Sequence, residues 1–347
     1  MTSPRSILIP LAGPYEAAVA VRNWFFEKGI LRVASMDVPV ISVGNIAAGG
    51  TGKTPFVAFA ASFLRQLGAR VAIVSRGYGR RSKGYLVVSN GRQRCAEPWN
   101  GGDEPAELAE AVDGAIVAVG ERRVEAMQQV TRAFHPDVIV LDDAFQHRYA
   151  ARDLDIVLVT AAEIIRGDRL LPAGNRREPL SSLRRADLIV VTRCRNAEEF
   201  ETARDRLSKF NKPIAGVRTT PTGLSRTATG DMVEQGSVPG RTAVLVSGVA
   251  NPAAVAQSAA DLGFVVAEHL RYRDHHWFID ADVREIGAAF RRRAAHVILT
   301  TAKDAVRLRS RHADFVAAHP VYTIRIGIEF LSGREIVERV LRKVSGR

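Results

Sequence analysis

The stretch PVISVGNIAAGGTGKTPFVAFAASFL, residues 39–64, constrains the fold more than any other part of the chain. An apolar run rich in β-branched residues enters a glycine-rich loop, which opens directly into a helix-period pattern from Pro55. Strand, glycine loop and helix in that order make a phosphate-binding loop when the loop ends in Lys-Thr. Gly49, Gly50 and Gly52, with Thr51 among them, let backbone amides turn inward on phosphate oxygens. Lys53 reaches the β- and γ-phosphates and the Thr54 hydroxyl ligates Mg²⁺. The strict pattern has a glycine five residues before Gly52, where this chain has Ala47, and Gly49-Gly50 compensates.

Further apolar runs, RVAIVSRG, AIVAVG, DVIVLDD, DIVLVT and DLIVVTR, alternate with helical stretches such as Pro55–Leu67, closed by Gly68, and Arg122–Ala133. That rhythm predicts an α/β fold of the P-loop NTPase type, with a doubly wound, mostly parallel sheet. Open sheets of this kind bind ligands beyond the carboxyl ends of their strands. One such end carries Asp142 and Asp143, placed to hold the magnesium directly and through its water shell. The loop resembles the GGxGKT variants of the ParA and MinD class, except that Ala48 stands where those carry lysine.

Near Phe210 the composition shifts to Thr, Gly and Pro, which predicts a linker or β-ribbon over 211–240. A smaller α/β unit is expected over 241–347, after a P-loop core over 36–210. Residues 1–35 form an amphipathic segment, suited either to a membrane interface or to packing on its own domain; the Trp24-Phe25-Phe26 cluster favours the membrane. No run is long and apolar enough to span a bilayer. Lys and Arg outnumber Asp and Glu by 49 to 37, a net charge of +12, which points to an anionic partner. The basic residues are scattered and no nucleic-acid-binding motif stands out, so nucleic acid is not the expected partner. Cys95 and Cys194 lack the spacing of a zinc site or disulfide framework.

Taken together, VPVISVGNIAAGGTGKTP, SRGYGRRSKG, GDEPAELA, VLDDAFQHR, LPAGNRREPLSSLRRADLIVVTR, YRDHHWF and TTAKDAVRL resemble the tetraacyldisaccharide 4'-kinase family along nearly the whole chain. The resemblance implies transfer of the ATP γ-phosphoryl group to the 4'-hydroxyl of tetraacyldisaccharide 1-phosphate in lipid A biosynthesis. It implies ATP and Mg²⁺ as cofactors and a membrane-embedded glycolipid substrate. It also implies peripheral attachment to the anionic cytoplasmic face of the inner membrane through the N-terminal helix, and a monomer is expected. By the same resemblance Asp103 is the catalytic base, paired with His275, the neighbour of the less favoured His276. Arg123 and Lys53 join the catalytic set with Asp142 and Asp143; Arg123 and Arg177 match positions that stabilise the transferring phosphate or hold the substrate's own phosphate, Tyr78, Glu104, Gln146 and Arg177 are the substrate-binding candidates, and Arg76 and His147 are secondary. Departures from the family pattern stand at Asn175, Arg176 and Ala302. A regulatory switch NTPase is the rival class, but neither VTRCR nor TTAKD supplies the usual guanine-reading residues.

Overall fold

A computed structural model describes residues 8–346 of the chain. Residues 1–7, the start of the expected N-terminal segment, lie outside the described residues. The apolar runs of the first half become β1 (Val40–Asn45), β2 (Val71–Ser75), β3 (Leu86–Asn90), β4 (Ile116–Val119), β5 (Val138–Asp142), β6 (Leu154–Thr160) and β7 (Leu188–Thr192). Their order across the sheet is β7-β6-β1-β5-β2-β4-β3. All are parallel except β3, an edge strand antiparallel to β4 that the sequence reading did not find. Ile41 and Val43 of β1 pack with the helix Lys53–Gln66, whereas Val40 packs with the helix Arg123–Phe134 on the opposite face. Burial on both faces explains why these strands read as continuous apolar runs and not as alternation. β2 to β5 lie to one side of β1 and β6 and β7 to the other, so the winding direction changes where the glycine loop begins.

The second half contributes β8 (Ile214–Arg226), β9 (Met232–Val233), β10 (Thr242–Ser247), β11 (Val265–Arg271), β12 (Val297–Thr301) and β13 (Val321–Ser332). β8 pairs parallel with β7 and antiparallel with β13, so one sheet of 13 strands runs through the described residues. The 211–240 stretch is therefore built round a strand, and the long β8–β13 pair is the ribbon between the halves. β10, β11, β12 and β13 run parallel and hold two core clusters of their own, centred on Leu245 and Leu299 and on Val246 and Phe278. The last helix, Arg334–Ser345, returns to the first half, where Val337 and Leu341 are buried with Phe56 and Leu64.

The helix Ile9–Glu27 docks by one stripe, Val19, Asn23 and Phe26. Asn23 Nδ2 donates to Glu178 at 3.2 Å, and the Phe26 ring meets the edge of Tyr149. Leu11, Val21 and Trp24 remain about half exposed on the other side (55%, 51% and 48%). One stripe of this segment thus packs on the protein, as the domain-packing reading expects, while these apolar residues stay exposed. No helix among the described residues is long and apolar enough to cross a membrane.

Candidate active site

β1 ends at Asn45 and the glycine loop leaves it with Gly49 and Gly52 both left-handed (φ 104° and 83°), a conformation that favours glycine. Ala47 needs no such freedom. It forms an antiparallel bridge with Arg176, Ala48 N donates to the Asn175 carbonyl at 2.7 Å, and Arg177 N donates to the Ile46 carbonyl at 2.7 Å. The first part of the loop is thus tied to residues 175–177 by backbone, which is why alanine suffices there. It also explains why the departures at Asn175 and Arg176 are harmless to this contact. Thr51 anchors the turn: its hydroxyl accepts from Asn45 Nδ2 at 2.9 Å and its carbonyl accepts from the Thr192 hydroxyl at 2.7 Å. Gly44 is required by packing, since a Cβ there would lie 2.6 Å from the Phe145 backbone nitrogen.

Gly52 caps the helix Lys53–Gln66, so Lys53 and Thr54 stand in its first turn, beside amides that the helix itself leaves unpaired. Lys53 Nζ lies 3.4 Å from Asp143 Oδ1, and Arg177 donates to the same carboxylate at 3.0 Å. Asp143 sits just beyond β5 with φ 50°. Burial alone would raise its pKa, but Lys53 and Arg177 outweigh that and hold it below the usual carboxylate range. Asp142, 3% exposed, accepts from the Ser75 hydroxyl at 3.0 Å. Burial, with Asp143 and Glu104 nearby, pushes its pKa up to about 6. An acidic pair whose buried member stays raised despite Lys53 and Ser75 fits a divalent cation. Among the described residues no three His, Cys, Asp or Glu side chains form a metal cluster. A Mg²⁺ sharing phosphate oxygens and water needs only one or two protein carboxylates, so Thr54, Asp142 and Asp143 suit that role.

Asp103 opens the helix Asp103–Ala111 behind a glycine pair: a Cβ on Gly101 would strike Val88 at 2.8 Å, and Gly102 has φ 96° against Gly77. Its carboxylate is 3% exposed. Oδ1 accepts from Glu104 N at 2.9 Å, and Oδ2 lies 2.9 Å from His275 Nδ1 and 3.5 Å from Arg307 Nε. Burial opposes its ionisation, yet the hydrogen bond to His275 and the charges of Lys303 and Arg307 lower the pKa overall. Of the two candidate histidines it is His275 that faces Asp103; His276 bonds Asp282 at 2.7 Å and stacks on Tyr272. Asp103 raises the His275 pKa above its ordinary value, against burial and Lys303.

The remaining candidates gather around these two clusters. Arg123 begins the helix after β4, buried, close enough to Asp143 and Asp142 to interact with both charges, and its Nε has no hydrogen-bond partner among the described residues. The Tyr78 ring is 5.6 Å from the His275 ring, and Glu104 pairs with Lys303 at 3.2 Å. Gln146 is turned to the loop, its Nε2 donating to the Asn45 carbonyl at 2.7 Å. His147 is kept neutral, its pKa pushed down to about 4 by burial and by Arg123, Arg152 and Arg76. Sequence reasoning missed Lys303 and Arg307, which come from the helix Ala302–Arg311 after β12. The available signal was TTAKD, a Lys-Asp pair that opens a helix just after an apolar strand, at one of the strand ends where such sheets place ligand-binding residues.

The family model described as tetraacyldisaccharide-1-P 4'-kinase, LpxK, matches residues 4–345. The chain is 35% identical to the tetraacyldisaccharide 4'-kinase of Chlorobium limicola over 99% of both chains. It is 38% identical to that of Chlorobaculum parvum over 97% of this chain and 94% of the other. The crystal structure of LpxK from Aquifex aeolicus, solved in complex with ATP, superposes with a TM-score of 0.80 at 30% identity, covering 99% of each chain. With the glycine loop, the acidic pair and the buried carboxylate at the ends of one parallel sheet, the chain belongs to the tetraacyldisaccharide-1-P 4'-kinase family and is a kinase that uses ATP to phosphorylate the 4'-position of a lipid A precursor.

Proposed function

We propose that Asp103 is the general base of this transfer and that His275 orients it. The acceptor hydroxyl gives its proton to Asp103 late in the reaction, as the sugar oxygen bonds to the γ-phosphorus and the bond to the bridging oxygen breaks, ADP leaving with the electron pair. Lys53 and the amides of Gly49, Gly50, Thr51 and Gly52 grip the phosphates. Arg123 and Arg177 balance negative charge on the transferring group or on the acceptor's own phosphate. Thr54, Asp142 and Asp143 would hold Mg²⁺, which neutralises phosphate charge when bound. Tyr78 and Glu104 flank the Asp103–His275 pair and are assigned to the acceptor sugar, while Gln146 supports acceptor binding by fixing the end of β1. The observation that carries this reading is the 2.9 Å contact between Asp103 and His275, residues 172 apart in sequence. Labelled ATP, Mg²⁺ and a tetraacylated glucosamine disaccharide 1-phosphate should yield a 4'-phosphorylated product by fragmentation mass spectrometry; phosphate at another position, or none, would overturn it.

The segment 1–35, the core 36–210, the ribbon 211–240 and the smaller unit 241–347 act together in a monomer, and the Asp103–His275 pair, made within one chain, asks for no second copy. The last helix belongs with the core by its packing. The exposed Leu11, Val21 and Trp24, beside exposed Lys28 and Arg32, support peripheral attachment to the anionic cytoplasmic face of the inner membrane. Leu11→Glu with Trp24→Glu should lower sedimentation with phosphatidylglycerol vesicles while leaving the far-UV dichroism unchanged. Equal sedimentation would remove the helix from membrane attachment.

A further inference from the structure

Lys303 makes three contacts that the phosphoryl-transfer chemistry does not require of it. Its ammonium lies 3.0 Å from His275 Nε2, 3.3 Å from Asp274 Oδ1 and 3.2 Å from Glu104 Oε1. Asp274 and His275 come from the loop after β11 and Glu104 from the first half, so Lys303 sits where the two halves meet. Three carboxylates surround it, Asp103, Glu104 and Asp274, and together they keep it charged against the effect of burial.

A charged lysine has donors and no acceptor. At 3.0 Å from Nε2, the one hydrogen bond possible is from Nζ–H to the Nε2 lone pair, so that nitrogen carries no proton. The ring proton then resides on Nδ1, where it is donated to Asp103 Oδ2 at 2.9 Å. A second proton on Nε2 would set two donors head to head and would require the ammonium to swing away to Glu104 and Asp274. The groups facing His275 are Asp103 and Glu104 from one helix, Lys303 and Arg307 from another, Asp274 beside it in the chain, and the Tyr78 ring.

From this geometry we infer that Lys303 is a positioning residue that locks His275 as a neutral imidazole with its proton on Nδ1. His275 then serves Asp103 as a hydrogen-bond donor and not as a second base. This rests on the reading of Asp103 as the base, but the protonation state of His275 is a separate observable. Arg307 reinforces the arrangement from behind: fully buried, it donates to the His276 and Gly248 carbonyls at 2.9 and 3.2 Å and pairs with Asp304 at 3.2 Å. It thereby fixes the turn that carries His275.

The test is long-range ¹H–¹⁵N correlation on the full chain labelled with ¹⁵N-histidine, with the His275 signals assigned by their loss in His275→Gln. At neutral pH the wild-type protein should show a protonated Nδ1 and an unprotonated Nε2. Lys303→Met should give a tautomer mixture or imidazolium, and Lys303→Arg should keep the wild-type pattern. In kinetics, Lys303→Met should move the acid limb of the kcat profile to higher pH by about one unit, because a positive charge opposing protonation has been removed. A wild-type ring protonated on Nε2 would overturn the inference without any variant being made. So would a Lys303→Met enzyme that is slower at every pH with unchanged limb and unchanged nitrogen shifts, the mark of a purely structural contact. Failure of the base assignment reads differently: Asp103→Asn would retain kcat, whatever the histidine spectrum shows.

Discussion

Asp103 and Asp142 are equally buried, each 3% exposed, and yet their carboxyl groups are driven in opposite directions. Asp142 has Lys53 and the Ser75 hydroxyl to favour its charge but two like charges close by, so burial prevails and its pKa climbs to about 6. Asp103 has the Glu104 amide, the His275 ring and the charges of Lys303 and Arg307, so the same burial is overcome. Desolvation sets the size of the problem, and neighbours decide its sign. The difference also separates two tasks. A carboxylate with excess negative charge suits a cation, whereas one wrapped in donors is pre-organised as an ionised base whose orientation is fixed before the hydroxyl arrives.

The largest effect expected from breaking this comparison is on turnover. Asp103→Asn keeps the size and most hydrogen bonds but cannot accept a proton, and kcat should fall by about 10²–10⁴-fold with little change in the KM for ATP. Steady-state kinetics at saturating acceptor check it; a raised KM with intact kcat would move Asp103 from proton acceptance to nucleotide binding. A smaller effect belongs to the other carboxylate. Ser75→Ala removes the hydroxyl donor that orients Asp142, and the Mg²⁺ concentration needed for half-maximal rate should rise by about 10–100-fold. An unchanged Mg²⁺ dependence would detach Asp142 from the metal.

The two carboxylates also differ in how visible they are in the sequence. Gly49 to Thr54 and Asp142-Asp143 are legible because each is a local device: a glycine pattern between a strand and a helix, and acids at the end of an apolar run. The parallel sheet is legible for the same reason, since strands covered on both faces leave long apolar runs. The surroundings of Asp103 are not local. Glu104 and Lys303 are 199 residues apart, and their meeting depends on a ribbon whose second strand, β13, follows almost the whole smaller unit. No periodicity records that approach, and Arg307, which reads as one basic residue on a charged helix, is fully buried. The resemblance supplied His275 and its place after Asp274 favoured it over His276; what the sequence does not show is the turn, with φ 60° at His275, that aims it at Asp103. β3 was missed because its run, LVVSN, is short and lies at an edge.

The finest test of the comparison is the sign of stability change with pH, measured by denaturant unfolding of the metal-free, nucleotide-free protein. Asp142 has a folded pKa near 6 against an ordinary value of 3.8, so the folded state binds the extra proton and loses stability as pH rises through that window. Asp142→Asn removes the penalty, and at pH 7 the variant should be more stable than wild type by about 1–3 kcal/mol, because a tenfold change in proton affinity is worth about 1.4 kcal/mol. At pH 5 the gain should shrink, because wild-type Asp142 is then largely protonated. Asp103 has a lowered folded pKa and contributes stability that is present above the ordinary value and lost only in stronger acid. Asp103→Asn should therefore destabilise at pH 7. Its cost should not shrink at pH 5, since that pH still lies above the ordinary carboxylate value of 3.8 below which the Asp103 contribution starts to be lost. One variant gaining and the other losing, with only the gain fading in acid, is the signature of neighbours ruling over burial. Two losses of equal size at both pH values would mean that burial treats the two carboxylates alike.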